Sequence, residues 1–248
     1  MQIIIGIWCF MKRLGIIAII AAFCVFLTAC DSGGEQVTTT APEVVIQAAK
    51  EKNKVSAARE ESFEYTDNNG NAYSATYRIP SINFDNDDSE EANEEIVEKY
   101  TPDFEKAEKE SASRNGLTCD SLNYEKFENK GILSVVIKRV YYSHAVDYSV
   151  YNFNSKTGEA LSGSDVAKAS KLSWDEVTET LRTELEKDYV SKYKTSKPEK
   201  YDENLEKTLS DDNLGSAMLY LGKDGKLTAI CKEYASVGAG EFSVVLTI

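Results

Sequence analysis

The sequence predicts an α+β fold, a mostly antiparallel sheet with two main helices packed on it. Three observations carry this expectation. Strand-like and helix-like stretches fall in separate runs rather than in regular βαβ alternation, Asn-Gly and Lys-Gly turns join neighbouring strands, and two segments show apolar stripes at helical spacing.

Ser62 to Thr66 and Ala72 to Ile79 read as a hairpin, because Phe63 and Tyr65 alternate, as do Tyr73, Ala75 and Tyr77, and Asn69-Gly70 supplies the turn. The chain then leaves the sheet at Ile79-Pro80-Ser81-Ile82. Asp88 to Asn115 has helical spacing at Ala92, Ile96, Tyr100, Phe104 and Ala107, with Asp88 or Ser89 as cap, Gly116 as stop, and Pro102 expected to kink or split it. Leu117 to Glu128, Ile132 to Ser143 and Ala145 to Asn154 are strand-like, and the run from Ile132 to Ile137 is too continuously apolar for a one-sided strand, which places it inside the sheet. Trp174, Val177, Leu181, Leu185 and Tyr189 mark a second helix, capped by Ser173 with Glu176 three residues on. A short helix follows around Tyr201 to Leu209. Ala217 to Leu221 and Lys226 to Cys231 form a second hairpin, and Phe242 to Ile248 a last strand.

Lys12 and Arg13 precede an apolar run from Leu14 to Leu27, then Thr28, Ala29, Cys30 and the polar DSGG. This is a charged, apolar and small-residue succession, the layout of an export leader. Leu27-Thr28-Ala29-Cys30 resembles a bacterial lipobox, which implies cleavage before Cys30 and diacylation of its thiol. An uncleaved anchor is the alternative, for which the run is short. Met11 begins a better leader than Met1, because residues 1–10 put an apolar stretch before the basic pair. The expected organisation is a leader over 1–29, a lipidated Cys30 and flexible tether over 30–60, and an extracytoplasmic domain over 61–248, held by its lipid anchor on the outer face of the cell membrane.

The 248 residues carry 41 Asp and Glu against 28 Lys and Arg, a net charge of −13, with 42% hydrophobic residues. Such a balance argues against a nucleic-acid partner, whose phosphates need clustered Lys and Arg, and favours cationic partners. His144 is the only histidine, which removes multi-histidine metal sites, and no phosphate loop, nucleophile elbow or dinucleotide fingerprint is present, so no cofactor is expected. Asp85, Asp87 and Ser89 have calcium-loop spacing, but Glu90 stands where that loop needs Gly, and a helix cap explains them. A wall-modifying hydrolase built on a pair of acids, with or without His144, stays open as an alternative, as does an accessory structural role. Cys119 and Cys231 leave two alternatives, a disulfide allowed by export or two buried thiols. Tyr141, Tyr142, Tyr148 and Tyr151 crowd one segment and form the candidate binding surface, since tyrosine buries area at low entropic cost.

The segment 132–164 is similar to the exported domains found at the C-terminus of RsiV-type anti-sigma factors and beside the catalytic domain of some peptidoglycan deacetylases. Leu133-Ser134, Tyr151-Asn152-Phe153, Lys156-Thr157-Gly158 and the ending with Tyr234 and Gly238 or Gly240 carry the resemblance. It implies a non-catalytic α+β binding domain; in RsiV that domain binds lysozyme, which triggers proteolysis and sigma-factor release. Here a lipobox stands in place of the sigma-binding region and membrane helix, and no deacetylase domain is seen. The expectation is a surface lipoprotein whose domain binds lysozyme or a cell-wall component.

Overall fold

The computed structural model describes residues 53–67, 69–113, 116–235 and 240–248. The leader, Cys30 and the tether up to residue 52 lie outside the described residues, as do Asn68, Asn115 and Gly238. All described residues belong to one compact unit, Ala49–Ile248.

The fold is α+β, and its strands divide into two sheets. The first has the order β1-β2-β3-β4-β5, from Val55–Thr66, Ala72–Ile82, Cys119–Asn129, Ile132–Tyr141 and Val146–Asn154. All its neighbours are antiparallel except β2 and β3, which touch in parallel through Tyr77 and Leu122 after the chain crosses over by α1, Asp87–Ser113. The second has the order β6-β7-β8, from Met218–Leu221, Leu227–Tyr234 and Glu241–Thr247. Between the sheets the chain forms α2 (Gly163–Ala169), α3 (Trp174–Tyr193), α4 (Tyr201–Thr208) and α5 (Asp211–Gly215).

Two segments depart from expectation at the start of the domain. The expected tether runs to residue 60, yet β1 already begins at Val55, and β2 continues through Pro80 to Ile82 instead of leaving the sheet. Edge position explains the first: one side of β1 faces water, so it shows little more apolar signal than Val55 and Phe63. A register shift explains the second, since Ala57 pairs with Pro80 and Arg59 with Ile79, so Ala58 bulges opposite the residue that cannot donate.

Helix α1 covers one face of the first sheet, burying Ile96, Tyr100, Phe104 and Ala107 against Phe63, Tyr77, Leu122 and Ile137. Asn86 caps it, its Oδ1 accepting from the Ser89 N–H at 3.0 Å, so the cap lies ahead of the expected Asp88 or Ser89. The helix runs unbroken through Pro102, which is exposed, so the carbonyl that proline leaves unbonded is on the watered side. Its polar fastening is Arg139, which donates to Asp103 at 2.9 Å and to Asp147 at 2.7 Å.

The opposite face of the first sheet meets β6 at the end near Ile132. There the Leu221 N–H donates to Ser134 Oγ at 3.2 Å, Ser134 donates to Asn152 Oδ1 at 2.7 Å, and Asn152 Nδ2 donates to the Leu219 carbonyl at 2.8 Å. Side chains of β4 and β5 thus stand in for a neighbouring strand along the outer edge of β6. Strand β4 is interior and covered on both faces, as its unbroken apolar run implies. The expected capping box of α3 is present, with Ser173 Oγ accepting from Glu176 N and the Glu176 carboxylate from Ser173 N.

Gly158 closes the turn after β5 at φ +78°, and a Cβ there would lie 2.4 Å from Phe84 Cγ. Gly158→Ala adds left-handed backbone cost to overpacking, and its expected loss is about 2–4 kcal/mol. The urea midpoint checks this; a midpoint equal to the parent chain's shows that Phe84 moves aside freely.

Candidate functional site

Strand polarity gathers three connections at one end of the first sheet: the β1–β2 turn, the passage from the C-terminal end of α1 into β3, and the β4–β5 turn. The hairpin register sets Tyr65 directly across from Tyr73, and their rings stack at 5.3 Å between centroids. Tyr142, in the β4–β5 turn, is 66% exposed, and Tyr73 is 46% exposed. Exposed rings of this size are uncommon and mark a contact surface when they cluster.

Three adjoining hollows surround these rings. The first, about 450 Å³, has Tyr65 and Tyr73 with Glu64 and Ser111 on its walls; the second, about 330 Å³, adds Asp67, Asp120 and Tyr142; the third, about 370 Å³, lies between Tyr142, Tyr141 and Glu110. Asp67 is consumed locally: its Oδ1 accepts from the N–H groups of Asn69 and Asn71 and its Oδ2 from Asn71 Nδ2, which holds its carboxyl below the usual range. Glu110 accepts from the Thr118 N–H at 2.7 Å and from its hydroxyl. Asp120 makes no ion pair or hydrogen bond among the described residues. Burial, then the negative charge of Asp120 and the neighbouring Tyr142, Tyr73 and Asp67, raise the Tyr65 phenol. Tyr73 is raised chiefly by Asp67. The site is therefore aromatic, anionic and open to water.

The expected cluster of Tyr141, Tyr142, Tyr148 and Tyr151 is not one surface. Tyr151 pairs with Val135 and Tyr148 with Lys138, so the two tyrosines project from opposite faces of the sheet, as residues three apart on a strand must. Tyr151 packs beneath α1, where burial pushes its phenol up. Tyr148 lines a separate groove of about 390 Å³ with Val136, Tyr220 and Val245. Tyr141 is half-buried under the Arg139 guanidinium, 5.0 Å from its ring centroid, and only Tyr142 stands fully in the open. Tyr65 and Tyr73 were within reach of the sequence, since the Asn-Gly turn that predicts the hairpin also predicts their pairing. Their approach to Tyr142 depends on the β2–β3 contact, which no local pattern announces.

No family model matches the chain, and no curated protein matches it.

Cys119 and Cys231 are both free and buried, in the core under α1 and in the core under α3 respectively, so the structure holds no bond between them. Burial raises both thiols, Cys231 to about 12. His144 sits exposed at φ 65° in the β4–β5 turn, its N–H donating to the Tyr141 carbonyl at 2.8 Å. Among the described residues Asp188 and Glu233 come together as an acid pair, but both are tied to Lys192 and the Glu233 side chain is wholly enclosed, and Asp103 and Asp147 are likewise held by Arg139. Among the described residues no group of three acids, histidines or cysteines is arranged to hold a metal. Asp85 and Asp87, with calcium-loop spacing, flank the Asn86 cap of α1; Asp88 accepts from the Ala160 N–H at 2.7 Å.

Proposed function

We propose that the chain is a lipid-anchored protein of the bacterial cell envelope, fixed through Cys30, whose RsiV-like domain is a non-catalytic binding module for a cationic wall-active protein such as lysozyme. The observation that carries the reading is the open tyrosine surface of Tyr65, Tyr73 and Tyr142, set among Asp67, Asp120 and Glu110 at the loop end of the sheet. Its composition suits a partner whose surface is basic, because ring faces and carboxylates both attract cations while the surplus of 13 negative charges speeds encounter. The Leu133-Ser134 and Tyr151-Asn152-Phe153 motifs that suggest the family are built into the sheet and its contact with β6, and so bear on the fold.

Capture of lysozyme by the unit from residue 49 onward, at two salt concentrations and beside an equally basic unrelated protein, tests the reading. The expected result is selective binding that weakens with salt yet persists, and that falls about tenfold or more in Tyr73→Ala/Tyr142→Ala. Equal capture of the control protein would remove lysozyme as the partner, and an unaffected double variant would remove the surface.

A further inference from the structure

We propose that the hollow between Tyr65, Tyr73, Tyr142 and Asp120 is a receptor for a single arginine side chain of the partner protein; the inference rests on the reading of this end of the sheet as the binding surface. The hollow holds two carboxylates and three phenol rings, and no Lys or Arg among the described residues pairs with either acid. Of the two acids, Asp67 spends its oxygens on its own turn, accepting from Asn69, Asn71 and, at 3.3 Å, from the Tyr73 hydroxyl. Among the described residues the Asp120 carboxylate has no hydrogen-bond or ion-pair partner, and it is half-buried at the start of β3.

That division fixes the chemistry of the ligand. A neutral guest leaves the Asp120 charge unanswered, and a quaternary ammonium has no N–H to give it. A guanidinium answers both features at once: it is flat enough to lie against a tyrosine ring, and its N–H fork spans the two oxygens of one carboxylate. An ammonium supplies the charge but neither the plane nor the fork. The protein already uses the first half of this arrangement on itself, with Arg59 4.3 Å above the Phe104 ring and Arg78 4.8 Å above Tyr124. Elsewhere Arg139 lies 5.0 Å over Tyr141 while bonding Asp103 and Asp147, which is the full aromatic-and-carboxylate pairing in a position two residues from the end of β4. At Asp120 one such carboxylate and the rings of Tyr65, Tyr73 and Tyr142 line a hollow open to water.

The test is titration of the full chain, in a neutral detergent, with N-acetyl-arginine amide, N-acetyl-lysine amide and N-acetyl-citrulline amide, read by the ring signals of labelled tyrosine in NMR. Arginine amide is expected to move the Tyr73 and Tyr142 signals saturably, with a dissociation constant on the order of 10 mM. Citrulline amide, equal in shape and uncharged, is expected to leave them in place, and lysine amide to bind at least about threefold more weakly. Asp120→Asn, which breaks no hydrogen bond or ion pair among the described residues, is expected to abolish saturation while the tyrosine signals away from this hollow stay as in the parent. Equal shifts with citrulline amide, equal affinity for lysine amide, or unchanged binding in Asp120→Asn each overturn the proposal. Lysozyme capture that survives Asp120→Asn discards the arginine receptor and leaves the tyrosine surface standing. Arginine binding without lysozyme capture does the reverse, keeping the receptor and discarding that partner.

Discussion

Asn152→Ala is expected to destabilise the domain by about 3–5 kcal/mol, among the largest single effects available outside the apolar cores. The side chain is buried and works in two directions, accepting from Ser134 and donating to the Leu219 carbonyl. Truncation leaves that carbonyl dry and unpaired, at about 1–3 kcal/mol, takes the acceptor from the Ser134 hydroxyl, and opens a void between the sheets. Ser134→Ala should cost less, since its main casualty is the Leu221 N–H. The two changes should be strongly non-additive, because they break one relay. Urea unfolding of the two single variants and the double variant measures this. A loss under about 1 kcal/mol for Asn152→Ala would mean that the edge of β6 finds another partner, and that the sheets are held by apolar contact together with the Asn129–Gly222 hydrogen bond.

The second large effect is a fall in stability as pH rises from about 4.5 to about 7. Glu233 on β7 has no exposed side-chain surface; Lys192 Nζ donates to its Oε2 at 3.0 Å and to Asp188 Oδ2 at 2.5 Å, while Glu233 Oε1 has no hydrogen-bond partner among the described residues. Burial, reinforced by Asp188 alongside, pushes the Glu233 carboxyl up to about 7 in spite of Lys192. Between the ordinary glutamate value and 7 the folded chain holds a proton that the unfolded chain has released. Folding is therefore favoured at the acid side of that window, and the advantage, of the order of 3 kcal/mol at most, is gone above it. Asp188 acts in the opposite sense and lower down: burial opposes ionisation, the Lys192 bond outweighs it, and the stability it adds is lost only as pH drops through the acid range. Glu233→Gln keeps an acceptor for Lys192 and a donor for Asp188 without the titration. Its stability should be nearly level from pH 5 to pH 8, while the parent chain declines. Parallel curves for the two would show that another group sets the slope.

Legibility in the sequence followed how local each signal was. The α3 helix declares itself through Ser173, Glu176 and a four-residue apolar rhythm, and the Lys130-Gly131 turn lies between paired Asn129 and Ile132 with both residues at positive φ. Strand β1 was half hidden because an edge strand under a single layer needs few apolar residues, and Pro80 misled because the bulge that admits it lies on the partner strand. The tyrosine surface was partly visible for the same kind of reason. Crowding along the chain suggested Tyr148 and Tyr151, yet period-two geometry sends them to different faces, whereas Tyr65, Tyr73 and Tyr142 are scattered in sequence and meet only through the parallel β2–β3 contact. Division of the strands into two sheets was not foreseeable from alternation, because it turns on Ser134 and Asn152, polar residues in apolar strands whose purpose appears only when β6 arrives.

The twelve residues of β1 also determine how the domain would bear a load. The preceding chain joins at Val55, whereas Tyr65 and the turn beyond it sit at the other extreme of the same strand, about 35 Å away. Tension between an anchor ahead of Val55 and a partner gripping Tyr65 runs along one covalent backbone. That share of the load bypasses the Ser134–Asn152 relay and the α1 fastening, whereas the share taken by Tyr73 on β2 crosses the antiparallel β1–β2 ladder, whose hydrogen bonds lie across the pull.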